Sequence, residues 1–232
     1  MSRVRVALVI VGVLLVAANV VAKFGPSGAM LLLGPLAAVA LILVGRWAGL
    51  GFLELGLGRH QLLRGAVYAA VAIVVVAAGM LLLVSLPPTH GLLSDQRYQL
   101  PISRALWTSF VVIPLGTILP EEIAFRGVLW GLLARGRGPA VATGVSSALF
   151  GLWHILPSLR LSVVNPAVSA AVGVGGAAAV VAVAGAVLFT TLAGIVFCEL
   201  RRHSGSLLAP VGLHWAVNGL GVLVTSALAG RN

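Results

Sequence analysis

Three short runs in this chain hold side chains able to do chemistry together. The first reads Glu121-Glu122-Ile123-Ala124-Phe125-Arg126, the second ends in Phe150-Gly151-Leu152-Trp153-His154, and the third is His214-Trp215-Ala216-Val217-Asn218. Each lies inside an apolar stretch, and the chain has only five acidic residues in all. A desolvated carboxylate beside an imidazole is a general base for water. A second imidazole and a carboxamide can donate hydrogen bonds to a developing oxyanion. Glu121, His154, His214 and Asn218 are therefore a candidate catalytic set for hydrolysing an amide. Glu121, His154 and His214 are equally a ligand set for Zn²⁺ with one position left for water. Spacing alone leaves both chemistries open.

The two glutamates differ in their surroundings along the chain. Glu122 and Arg126 are four apart, so on a helix they are neighbours, with the acid on the favourable N-terminal side. They are expected to neutralise each other as a structural pair. Glu121 points about 100° away around the helix and needs a partner from another element. His214 and Asn218, also four apart, share one helix face. Trp153 and Trp215 flank the two histidines, as cavity walls or as lipid-facing side chains, and Phe150 reads as core packing.

The elements that must carry these runs are membrane helices. Of 232 residues 60% are hydrophobic and 9% charged, and the mean hydropathy is +1.12; a soluble domain has about 25% charged residues. The net charge of +10 comes from arginines scattered at the ends of apolar segments, as membrane topology requires, rather than from one basic face, so nucleic acid is not an expected partner. The only cysteine, Cys198, lies in an apolar segment and reads as a small buried hydrophobe. The expected fold is all-α, a polytopic bundle of seven spans: Val6–Ala22, Gly28–Val44, Ala66–Leu86, Ala105–Ala134, Ala140–Leu156, one within Ala171–Leu200, and Leu207–Ala229. Arg46–Gly65 mixes charges with Trp47 and Phe52 and reads as interfacial, Thr89–Arg104 as a loop, and Pro157–Ala170 has no clear assignment. Seven spans place most arginines on the side of the N-terminus, which the positive-inside rule makes the cytoplasm. One lysine against many arginines is a composition typical of a GC-rich bacterial genome, so a bacterial inner membrane is the expected location.

Glu-Glu-x-x-x-Arg, Phe-x-x-x-His and His-x-x-x-Asn, in this order on three membrane helices and with Phe125-Arg126-Gly127, resemble the CPBP family of CAAX proteases and bacteriocin-processing enzymes, also called Abi proteins. The resemblance runs from about Trp107 to Leu220. Residues 1–104 form N-terminal helices and loops without a recognised motif, and 105–232 the catalytic-type core of one integrated membrane domain. The resemblance implies an intramembrane endopeptidase acting on a membrane-associated peptide or protein. It puts the catalytic glutamate at Glu121, water activation at His154, oxyanion stabilisation at His214 and Asn218, and a structural pair at Glu122 and Arg126. Members of the family are described both as metalloproteases and as metal-independent glutamate proteases, so zinc stays an open cofactor.

Members often carry another helix after His-x-x-x-Asn, and here 14 residues follow Asn218, so the site is expected to be less enclosed or covered by a second copy. Two other classes share the features of the three runs. One is a non-catalytic immunity or scaffold protein that keeps the residues as a polar core. The other is an ion- or proton-coupled transporter, which also places acids at mid-membrane. The chain lacks His-Glu-x-x-His, Gly-x-Ser-x-Gly and Gly-x-Gly-Asp, which argues against three other kinds of intramembrane protease.

Overall fold

A computed structural model describes residues 2–230. In lipid every backbone polar group must be satisfied within the segment, which a helix does by itself. Among the described residues the apolar runs accordingly fold into seven helices long and apolar enough to cross a membrane: α1 Arg3–Phe24, α2 Ala29–Trp47, α3 Arg59–Ser85, α4 Ile102–Arg137, α5 Pro139–Ser158, α6 Gly176–Ser204 and α7 Leu208–Ala229. The expected count and order hold, with ends shifted by a few residues. The unassigned stretch after α5 forms two short helices, Leu161–Val164 and Pro166–Val172. Asn165 caps the second, its side chain accepting from the amides of Ala167 and Val168. Large aliphatic side chains such as Val13, Val16, Val74, Leu82 and Leu188 cover the outside. That is the surface a bilayer solvates.

The fourth helix is the irregular one. It has 36 residues, and Pro114 and Pro120 each lack the N–H that a regular helix needs at that point. The backbone widens to π geometry over Thr108–Val112, Pro114–Ile118 and Ile123–Leu129. Such widened turns recur at functional sites. Between the last two lies the short α-helical turn Leu119–Glu122, which buries both glutamates.

The segment between α2 and α3, expected to be interfacial, is partly drawn into the bundle. Leu50 and Leu55 are fully buried in the main core with Phe125, Val128 and Leu129 of α4. Gly127 and Gly131 of α4 face this loop, a Cβ on Gly131 meeting the carbonyl of Glu54 at 3.1 Å, so the small-residue pair makes room for a loop rather than for another helix. Arg201 of α6, buried, donates to the carbonyls of Leu53 and Glu54 at 3.2 and 2.9 Å. Gly56 has φ +76, and a Cβ there would collide with the Arg201 guanidinium. The loop is drawn inward because these carbonyls satisfy a cation that has no water to turn to. Outside the core, Arg135 hydrogen-bonds Glu54 and holds its carboxyl below the usual range.

Helices α5 and α6 approach closely through small residues. A Cβ on Gly194 would meet Ser147 Cα at 3.0 Å. One on Gly151 would run into the Thr191 side chain and lie 2.7 Å from the carbonyl of Val187. Gly151→Ala therefore pushes α5 off α6 one turn before His154. It is expected to cost about 1–3 kcal/mol, read as an earlier thermal unfolding transition in detergent.

Candidate functional site

The site is assembled from α4, α5, α6 and α7 around one guanidinium. Arg126 is fully buried. Its Nη1 donates to Glu122 Oε1 at 3.2 Å, as the i, i+4 spacing requires. Its Nε and Nη2 have no hydrogen-bond partner among the described residues. What they have instead is aromatic faces: the guanidinium carbon stands 3.9 Å from the ring centre of Phe150 on α5 and 4.7 Å from that of Phe197 on α6. Desolvated cation–π contacts of this kind contribute about 2 kcal/mol. Phe150 is thus more than core packing; it is one wall of an aromatic cage around a buried cation.

Glu122 is not self-contained. The same Oε1 that receives Arg126 also receives His214 Nδ1 at 2.7 Å. A carboxylate only accepts, so His214 carries a proton on Nδ1. Its ring stacks on Phe197 at 5.1 Å between centroids. Its other nitrogen, Nε2, faces Glu121 Oε2 at 4.0 Å. The Glu122–Arg126 pair that the spacing predicts is present, and His214 joins it as a third member. The pair is the clamp that fixes the orientation of His214, the ring meeting Glu122 with one nitrogen and Glu121 with the other.

Glu121 is 6% exposed. Its Oε1 receives the indole N–H of Trp153 at 3.0 Å, and its Oε2 has no hydrogen-bond partner among the described residues. Trp153, of ambiguous role in the sequence, thus holds the carboxylate. Trp215 does something else: its indole donates to the carbonyl of Ser109 at 3.0 Å and its ring packs on Phe110, binding α7 to α4.

His154 sits where α5 breaks, between Pro139–Trp153 and the last turn Ile155–Ser158, with φ −82 and ψ 1. This is the sparsely populated bridge region, in which active-site residues are often found. Its Nδ1 lies 2.7 Å from the carbonyl of Phe150. A carbonyl only accepts, so Nδ1 is the protonated nitrogen and Nε2 holds the lone pair when the ring is neutral. Asn218 lies in a π-helical stretch, Ala216–Leu220.

A cavity of about 790 Å³ takes in Glu121, Trp153, His154 and Asn218. His214 does not line it and reaches only the Glu121 oxygen. The first two helices, which carry no motif, contribute Leu14, Asn19 and Leu41 to its walls, so the site is enclosed from the N-terminal side. At its far end Asp95 and Arg97 form a two-point ion pair at 2.7 and 2.9 Å. Burial raises the Asp95 carboxyl, yet the Arg97 bonds outweigh it and hold it below the usual range.

Glu121, His154 and His214 do not gather as a metal-ligand set. Among the described residues no three His, Cys, Asp or Glu side chains converge to hold an ion, and His214 spends one nitrogen on Glu122. In this arrangement the residues do not fit a Zn²⁺ centre. His214 Nε2 lies 4.0 Å from Glu121 Oε2, and His154 lines the same cavity as Glu121.

No curated protein and no solved structure matches the chain. A family model does, over residues 103–220, which is the part of the chain that supplies α4 from near its start, all of α5 and α6, and α7 through Asn218. Every element that meets at Arg126 lies within that match, and the chain belongs to the type II CAAX prenyl endopeptidase Rce1-like family.

Proposed function

We propose that the chain is an intramembrane endopeptidase in which Glu121 activates water against a peptide bond of a membrane-associated substrate. The observation that carries this reading is the state of Glu121: a buried carboxylate with one oxygen held by the Trp153 indole and the other without a partner, in a cavity that His154 and Asn218 also line. Glu122, by contrast, does not line that cavity and is taken up by Arg126 and His214.

Glu121 Oε2 and His214 Nε2 are 4.0 Å apart, the separation of two groups that hydrogen-bond one oxygen atom. A water there loses a proton to Glu121 as its oxygen attacks the peptide carbonyl carbon. The lone pair on His154 Nε2 assists as a second acceptor. The carbonyl oxygen becomes an oxyanion, and the Asn218 carboxamide donates to it. His214 contributes when both its nitrogens carry protons; in that state it also brings the Glu121, Glu122, Arg126 and His214 group to zero net charge. Collapse of the tetrahedral intermediate breaks the C–N bond. The proton taken by Glu121 goes to the leaving amine, leaving a new carboxylate and a new amino terminus. No step passes through a metal. The cavity is lined by residues of the membrane-spanning helices, which supports a substrate segment in or at the bilayer, and the arginine pattern supports a cytoplasmic N-terminus.

The test uses protein in nanodiscs and a quenched peptide ending in a prenylated CAAX sequence, with mapping of new termini in membranes that contain the chain as a second readout. Glu121→Gln keeps the shape and removes the base, so it is expected to lower cleavage by about 10²–10⁴-fold, with His154→Ala in the same range. Asn218→Ala is expected to lose about 10²-fold. Wild-type cleavage by E121Q sinks the assignment and favours a polar core without catalysis. Prolonged dialysis against a strong chelator is expected to leave the rate unchanged; loss of activity restored by Zn²⁺ alone contradicts the metal-free reading. Arg126→Leu acts differently. It leaves Glu122 buried without its cation, which costs about 3–5 kcal/mol, and is expected to show first as a fall in the unfolding temperature.

A further inference from the structure

The first helix carries no motif and lies outside the residues that the family model matches. From Val6 to Ala22 its side chains are apolar with one exception, Asn19. A lone carboxamide in a membrane helix is costly unless it is bonded. Asn19 is bonded: its Nδ2 donates to the backbone carbonyl of Trp153 at 2.8 Å.

That carbonyl is free for a reason legible in the chain. In a regular helix it would accept from the amide four residues on, which is Pro157. Proline has no N–H, and its ring presses against the carbonyl four residues earlier. The helix breaks at His154, and the Trp153 carbonyl turns out towards α1. The two side chains on either side of this peptide unit are the ones that the proposed chemistry needs. Trp153 holds Glu121 Oε1, and His154 lines the cavity in its bridge conformation. Asn19 and Pro157 line that cavity too.

We infer that Asn19 is a positioning residue for the active site: by capping the carbonyl that Pro157 orphans, it fixes the peptide unit from which Trp153 orients Glu121 and His154 faces the substrate. The catalytic part of this inference rests on the function proposed above. It assigns a task to α1 that a lipid anchor would not have, because one turn of α1 sets the geometry of a break in α5.

The experiment is a cycle between Asn19 and Pro157, read in two ways on protein in nanodiscs. Asn19→Leu and Asn19→Ala both remove the donor, the first at similar volume. Hydrogen–deuterium exchange of amides in residues 151–158 is expected to speed up about five- to tenfold in each. In Pro157→Ala the restored N–H can take the Trp153 carbonyl within the helix, so adding N19L there is expected to change exchange less than about twofold. Cleavage of the prenylated CAAX peptide should follow the same pattern, with kcat falling about tenfold in N19L and N19A, KM unchanged, and most of the loss absent when N19L is made on P157A. Exchange rates equal to wild type in N19L and N19A overturn the inference. So does an equal loss with and without Pro157, which would mean that Asn19 acts by general packing. A rise in KM at constant kcat overturns it as well, since that marks a substrate contact. If E121Q is inactive while N19L and N19A cleave like wild type, this inference alone falls; if E121Q cleaves like wild type, the base assignment falls and the positioning role with it.

Discussion

Glu122 Oε1 accepts two hydrogen bonds at membrane depth, one from Arg126 and one from His214, and most of the bundle is arranged around that oxygen. A guanidinium and a carboxylate taken out of water are a net burden unless each is neutralised and surrounded by compensating groups. Here the compensation comes from four helices. The charges stand on α4, Phe150 comes from α5, Phe197 from α6 and His214 from α7. Removing any one wall leaves a buried charge with less around it. Docking of α5, α6 and α7 onto α4 is thus tied to the same atoms that fix the ring of His214.

This makes the two adjacent glutamates complementary. Glu122 is fully buried and holds groups in place. Glu121, one residue earlier and rotated around the helix, keeps one oxygen on Trp153 and turns the other towards His214 Nε2. His214 lies between the two acids, so the orientation of its ring on Glu122 determines what Glu121 Oε2 faces. Both glutamates lie in the short α-helical turn Leu119–Glu122 between two π-helical stretches of α4, and both are buried.

Much of this was readable from the residues. The seven spans followed from apolar length, and polar residues that a lipid-facing helix would not carry pointed to Glu121, His154 and Asn218, which line one cavity. What spacing could not show was pairing across helices. His214 was assigned to the company of Glu121, yet its bond goes to Glu122, because ring orientation depends on how α7 rotates against α4. Trp153 and Trp215 are equivalent in sequence, each beside a histidine; only packing makes one a holder of Glu121 and the other a brace to Ser109. The loop after α2 looked interfacial from its charges. Its burial depends on Arg201, distant in sequence, needing the carbonyls of Leu53 and Glu54. Asn19 had a signal that was available, a lone polar side chain in an apolar helix, but its partner is a backbone atom exposed by a proline on another span.

In the proposed mechanism Glu121 is a base that never bonds covalently to substrate. Single-turnover cleavage in ¹⁸O-labelled water, with mass analysis of both the product and the peptide containing Glu121, tests that most directly. Direct attack by water predicts one ¹⁸O in the new product carboxylate from the first turnover and none in Glu121. Unlabelled product with ¹⁸O appearing in the Glu121 carboxylate would reveal an anhydride intermediate and contradict the account.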